Sequence, residues 1–163
     1  MGIDPKQFMD YAIAPVLSKM ACVLELPFDT IESRLLLIET ACAESQLTYL
    51  RQINGPAAGL FQVEPSSYED VSNYIHRKGT AFLGKVVYCV YGDHYRDLPA
   101  FDYLHTDLRL QTVIARLHYW RSPKPIPETL SKRAEFWKSW YNTPLGRGTV
   151  QHYINSAPTE MML

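Results

Sequence analysis

The sequence predicts an all-α fold, one domain of six to eight helices spanning residues 1–163. Three observations point there. Apolar residues recur at three- and four-residue spacing along most of the chain. Residues able to cap helices (Ser, Thr and Asp) stand before several of those runs. One run, IESRLLLIETACAES, carries so many apolar side chains that its helix must be buried on most sides.

Each element can be justified in order. Residues 5–21 place Phe8, Ala12, Val16 and Met20 at spacings of four, with a kink or break expected at Pro15. Thr30 is the expected N-cap of the next helix, in which Leu35, Ile38 and Cys42 mark one stripe beside Leu36, Leu37 and Ala41. Residues 51–65 contain Asn-Gly, Gly-Pro and a terminal Pro, which is loop chemistry. Ser66 and Ser67 are expected to cap SSYEDVSNYIHRK, with Glu69 and Asp70 in its first turn. TAFLGKVVYCVYG can start a helix at Thr80, although its Val and Tyr content equally suits a strand.

Residues 92–105 read as irregular. Thr106-Asp107 caps DLRLQTVIARLHYWR, SPKPIP is a rigid connector, and PETLSKRAEFWKSWYN is amphipathic with Pro127 at or near its first turn. GRGTVQHYINS makes a last short helix, followed by a loosely held tail.

Composition excludes several function classes. Sixteen basic and 17 acidic side chains give a net charge of −1, so the basic footprint of a nucleic-acid binder is missing. No stretch approaches the ~20 apolar residues of a membrane span. Asp10 and Lys19 interrupt the first apolar stretch, so no secretion signal is expected and the chain is made in the cytoplasm. Cys22, Cys42 and Cys89 lie in apolar contexts and read as three buried free thiols. His76, His94, His105, His118 and His152 show no metal-ligand spacing, so neither a metal nor a cofactor is expected.

One acid stands out. Glu44 follows Ala41-Cys42-Ala43 at the C-terminal end of the buried helix. Small apolar walls and the negative helix end both disfavour its ionised form. A carboxyl still protonated near neutral pH can act as a general acid. Glu39, five residues earlier, projects about 140° away and reads as structural or exposed.

Glu44-Ser45 followed by Gly59-Leu60-Phe61-Gln62 resembles the signature of the soluble lytic transglycosylase family, within the lysozyme-like superfamily. Phe61 stands where that family usually has Met, and Pro56-Ala57-Ala58 replaces its Gly-Ala step. Downstream, Trp140-Tyr141-Asn142-Thr143-Pro144 resembles the family's Ala-Tyr-Asn-Ala-Gly segment, with Thr143-Pro144 in place of Ala-Gly. The resemblance covers a core of about residues 30–155 and is tight at the two motifs.

It implies a lysozyme-like domain around the helix that ends at Glu44. Glu44 would be the catalytic acid and then base. Ser45 would help to orient that acid or the substrate. Gly59, Leu60, Phe61 and Gln62, with Tyr141 and Asn142 opposite, would line a cleft for peptidoglycan glycan strands. The implied reaction breaks the bond between N-acetylmuramic acid and N-acetylglucosamine with 1,6-anhydro ring formation. Such a chain without a signal resembles phage enzymes, so association with tail or internal virion proteins, or a lysis role at the periplasmic host wall, is expected. Two alternatives stay open. Lysozyme-type hydrolysis would need a second acid such as Glu64, Glu69 or Asp70 across the cleft. The other is an inactive structural virion protein that keeps the fold.

Overall fold

A computed structural model describes residues 2–92, 97–142 and 148–158. The chain is predominantly helical, and no strand forms among the described residues. Helix α1 (Pro5–Phe8) runs through a π-helical turn (Met9–Ile13) into α2 (Ala14–Leu24). Next come α3 (Ile31–Ser45), α4 (Pro65–Arg77) and α5 (Thr80–Tyr91). A 3₁₀ turn (Phe101–His105) leads to α6 (Leu108–Trp120), α7 (Leu130–Trp140) and α8 (Val150–Ser156).

Pro15 does not break the first helix. The ring of an interior proline takes away one backbone donor and crowds the preceding turn. Here the turn before it widens, and Ala14 N–H bonds to Met9 O across five residues instead of four. The helix therefore continues to Leu24, where Glu25 ends it in the left-handed region at φ 55°.

Helix α3 forms the middle of the molecule. Thr30 caps it as expected: its hydroxyl accepts from Ser33 N–H, and the Ser33 hydroxyl accepts from Thr30 N–H. Every residue from Leu36 to Ala43 is buried. α3 packs against α1, the π turn, α6, α7 and α8. The buried apolar side chains of these helices join those of α2, α4 and α5 in one contiguous cluster.

Three local expectations are corrected and one open choice is settled. Ser66 and Ser67 do not cap α4, because Pro65 takes its first turn with Glu64 as N-cap, which moves Glu69 and Asp70 past the helix start. Pro127 stays outside α7, whose cap is Thr129, bonded to Lys132 N–H. Of the two readings of residues 80–91, helix and strand, the helix is the one that forms. Cys22 is exposed, while Cys42 and Cys89 are buried. Asp107 caps α6 as expected, accepting from Arg109 and Leu110 N–H. The 3₁₀ turn orders part of the stretch read as irregular. His94, Thr143 and Pro144, and the end of the tail from 159, lie outside the described residues.

Candidate active site

The site begins with the buried helix. Glu44 stands one residue before the end of α3 and is partly buried. Its Oε1 accepts a hydrogen bond from the indole Nε1–H of Trp137, at 2.9 Å. Trp137 is one helical turn past Arg133 on α7, and its ring is fully covered. Gly148 is needed there, since a Cβ at that position would lie 2.4 Å from the Trp137 ring.

Helix α7 is held to α3 by a second contact. Arg133 Nε and Nη2 meet the two oxygens of Glu39 at 2.7 and 2.6 Å, and Tyr153 O–H of α8 donates to Glu39 at 3.1 Å. All three side chains are buried. Of the two readings of Glu39, structural or exposed, the exposed one is thereby corrected. A two-point Arg–carboxylate pair fixes geometry as well as charge. Arg133 and Trp137, four residues apart on α7, thus engage Glu39 and Glu44 on α3.

Glu44 lines an open cavity of about 750 Å³. Gln62, Tyr141 and Asn142 line it too, although up to 98 positions separate them from Glu44 in sequence. So do Trp137, Glu64, His118 and His152, and the loop from Gln52 to Pro56 forms one wall. The volume lies within the ~300–1,000 Å³ typical of ligand sites.

Burial pushes the Glu44 carboxyl up to about 7, opposed by the Trp137 hydrogen bond and aided by the negative charge of Glu64. His118 is pushed down to about 4, by burial first and the Arg121 charge second. It is therefore neutral at physiological pH. Its Nε2–H donates to Trp140 O, and Arg121 Nη2 lies 3.4 Å from its Nδ1. His152 Nε2 lies 2.8 Å from Ala43 O, beside the acid. Among the described residues no three His, Cys, Asp or Glu side chains come together as metal ligands.

The other residues expected at the cleft sit elsewhere. Ser45 is buried, and its hydroxyl donates back to Ala41 O within α3. Gly59, Leu60 and Phe61 are buried and are not among the residues that line the cavity. They build a tight turn: Ala58 and Val63 pair in both directions at 2.9 Å, and Gln62 N–H donates to Gly59 O. Gly59 has φ +75°, and a Cβ there would lie 2.7 Å from Gln111 and 2.8 Å from Leu104 O. The close approach this glycine allows is to the protein itself.

Gln111, on α6, clamps the turn, accepting from Leu60 N–H at 2.8 Å and donating to Leu104 O at 2.7 Å. Tyr141 O–H adds a bond to Phe61 O at 2.7 Å. Gln62, at φ 45°, spends its amide N–H on Gly59 O and Tyr49 O. Asn142 Oδ1 accepts from Lys138 Nζ.

Sequence reasoning missed Trp137, Gln111 and Arg133. Trp137 lay in the stretch read as an amphipathic helix, one turn before Tyr141-Asn142, and that spacing was the available signal. For Gln111 no local signal exists, because its partners lie 51 and 7 positions away. No family model, curated protein or solved structure matches the chain.

Proposed function

We propose that the protein is a lytic transglycosylase that cleaves the bond between N-acetylmuramic acid and N-acetylglucosamine in peptidoglycan, on a lysozyme-like fold. One observation carries this reading: the carboxyl of Glu44, pushed up to about 7, lines the same cavity as Gln62, Tyr141 and Asn142. Those residues come from both segments that resemble the family.

The chemistry follows from the environment of Glu44. Below pH 7 it is a protonated acid and gives its proton to the glycosidic oxygen as the C–O bond breaks. The Trp137 N–H then stabilises the carboxylate left behind. The acetamido oxygen of the sugar bonds to the anomeric carbon and holds the positive charge. Glu44, now a base, takes the proton of the 6-hydroxyl, whose oxygen displaces the acetamido group and closes the 1,6-anhydro ring. No water is consumed. Among the described residues no helix is long and apolar enough to cross a membrane. The chain would reach the periplasmic wall within a phage particle or lysis system.

A second reading has its own observation. Glu64 lines the same cavity and helps to raise the Glu44 pKa, whereas Asp70 pairs with Arg121 at 3.9 Å and Glu69 does not line the cavity. Glycosidases that use water place two carboxyls about 5–9.5 Å apart. Mass spectrometry of muropeptides released by wild type, Glu44→Gln and Glu64→Gln tests both. Anhydro products that require Glu44 and survive Glu64→Gln support the transglycosylase. Products heavier by one water that require both acids establish hydrolysis. No release by wild type overturns both and brings forward an inactive virion protein.

A further inference from the structure

A second cavity, of about 460 Å³, opens between the α2–α3 connection, the end of α6 and the proline-rich connector after it. Arg116 lines it and is only 3% exposed. Its Nε donates to Phe28 O at 3.0 Å and Nη2 to Pro27 O at 3.4 Å. The Phe28 and Trp120 rings pack on each other with centres 4.3 Å apart, and the guanidinium lies beside the pair, 5.2 Å from each ring centre.

Arg116 has no ion pair among the described residues, and its Nη1 makes no hydrogen bond to them. A buried cation without a counter-charge is costly, and folded proteins normally pair it. Burial alone accounts for the fall of its pKa to about 10. Glu32, which also lines the cavity, is turned to other work: its own backbone N–H, the Thr30 hydroxyl and the Arg133 charge hold its carboxyl below the usual range.

The remaining walls are mostly apolar, with Thr30 and Ser122 as neutral polar residues among them. Trp120, Pro123, Pro125 and Ile126 offer flat apolar surface, and Lys124 adds an exposed cation. With Arg116 and Lys124 against Glu32, the lining carries a formal charge of +1.

We propose that this cavity binds a carboxylate carried on a flat apolar body, the carboxylate meeting the free edge of Arg116 and the body packing on Trp120 and the prolines. Planar guanidinium–carboxylate recognition is suited to that edge. The ligand chemistry could come from a free aryl or acyl acid or from the end of a peptide. The proposal does not depend on the chemistry at Glu44.

The test is NMR titration of the full chain, reading the Trp120 indole N–H, assigned with Trp120→Phe. Benzoylglycine probes the small acid and acetyl-Ala-Ala-Phe the peptide end, each against its neutral amide. Saturable shifts with either acid, about tenfold weaker for the amide and at least about threefold weaker in Lys124→Glu, support the site. Arg116→Lys should weaken binding further. Lys124 is exposed, so its variant decides the matter if the Arg116 variant fails to fold. Equal binding of acid and amide, binding unchanged in Lys124→Glu, or no shift with either acid overturns the proposal. A response to the tripeptide alone identifies the peptide end as the ligand.

Discussion

Replacing Glu44 by Gln is expected to stabilise the protein at pH 8 and to leave its stability nearly unchanged at pH 4. The carboxyl rises from 4.5 in the unfolded chain to about 7 in the folded one. A raised pKa means that the folded state holds its proton more tightly. Below pH 4.5 both states are protonated and Glu44 carries no penalty. As pH rises toward 7 the unfolded chain ionises first, and stability falls. At 1.36 kcal/mol per unit the full loss is about 3 kcal/mol. For a chain of this size that is roughly 6–12 °C in Tm.

The Glu44→Gln substitution removes the titration but keeps the shape, and the new amide oxygen can still accept from Trp137. Urea unfolding of both proteins at pH 4, 6 and 8 measures the difference directly, because groups common to both cancel. The difference should open between pH 4.5 and 7 and flatten above. The reasoning is refuted if the difference does not change with pH, or if the variant is the less stable protein at pH 8. Direct titration of the Glu44 carboxyl carbon by NMR gives the same pKa without reference to unfolding.

Three further substitutions test the frame around the acid. Trp137→Phe removes the N–H that favours the charged carboxylate, so the Glu44 pKa should rise by about one unit and the alkaline limb of activity should move with it. Arg133→Met leaves Glu39 buried without its cation and should lose about 3–5 kcal/mol in urea unfolding, most of it recovered when Glu39→Met is added. Gly59→Ala must hold φ +75° against Gln111 and Leu104, and should lose more than about 1 kcal/mol in thermal unfolding.

What could be read in the sequence was local. Thr30 and Asp107 were legible because a cap bonds to backbone two or three residues away. The desolvation of Glu44 was legible because its own helix supplies the apolar neighbours. Prolines misled the reading where two rules competed. Pro15 suggested a break, yet a π turn absorbed it; Pro65 outcompeted the serines behind it; Pro127 yielded to Thr129. The partners of Glu39, Glu44 and Leu60 lie 94, 93 and 51 positions off, and no periodicity in one chain encodes them.

Those long-range partners explain how an acid can stay poorly solvated without drifting. A buried ion pair adds little net stability, since desolvation offsets its attraction. Its use here is geometric. Arg133 grips Glu39 at two points, and Trp137, four residues on, faces Glu44 as a result. A rotation of α7 against α3 would break both contacts together. The turn at Gly59 works the same way from the other wall. Leu60, Phe61 and the glycine are spent on Gln111 and Tyr141, which leaves Gln62 at the cavity. Within the Gly59–Gln62 segment, the three residues that do not line the cavity are therefore what fixes Gln62, which does.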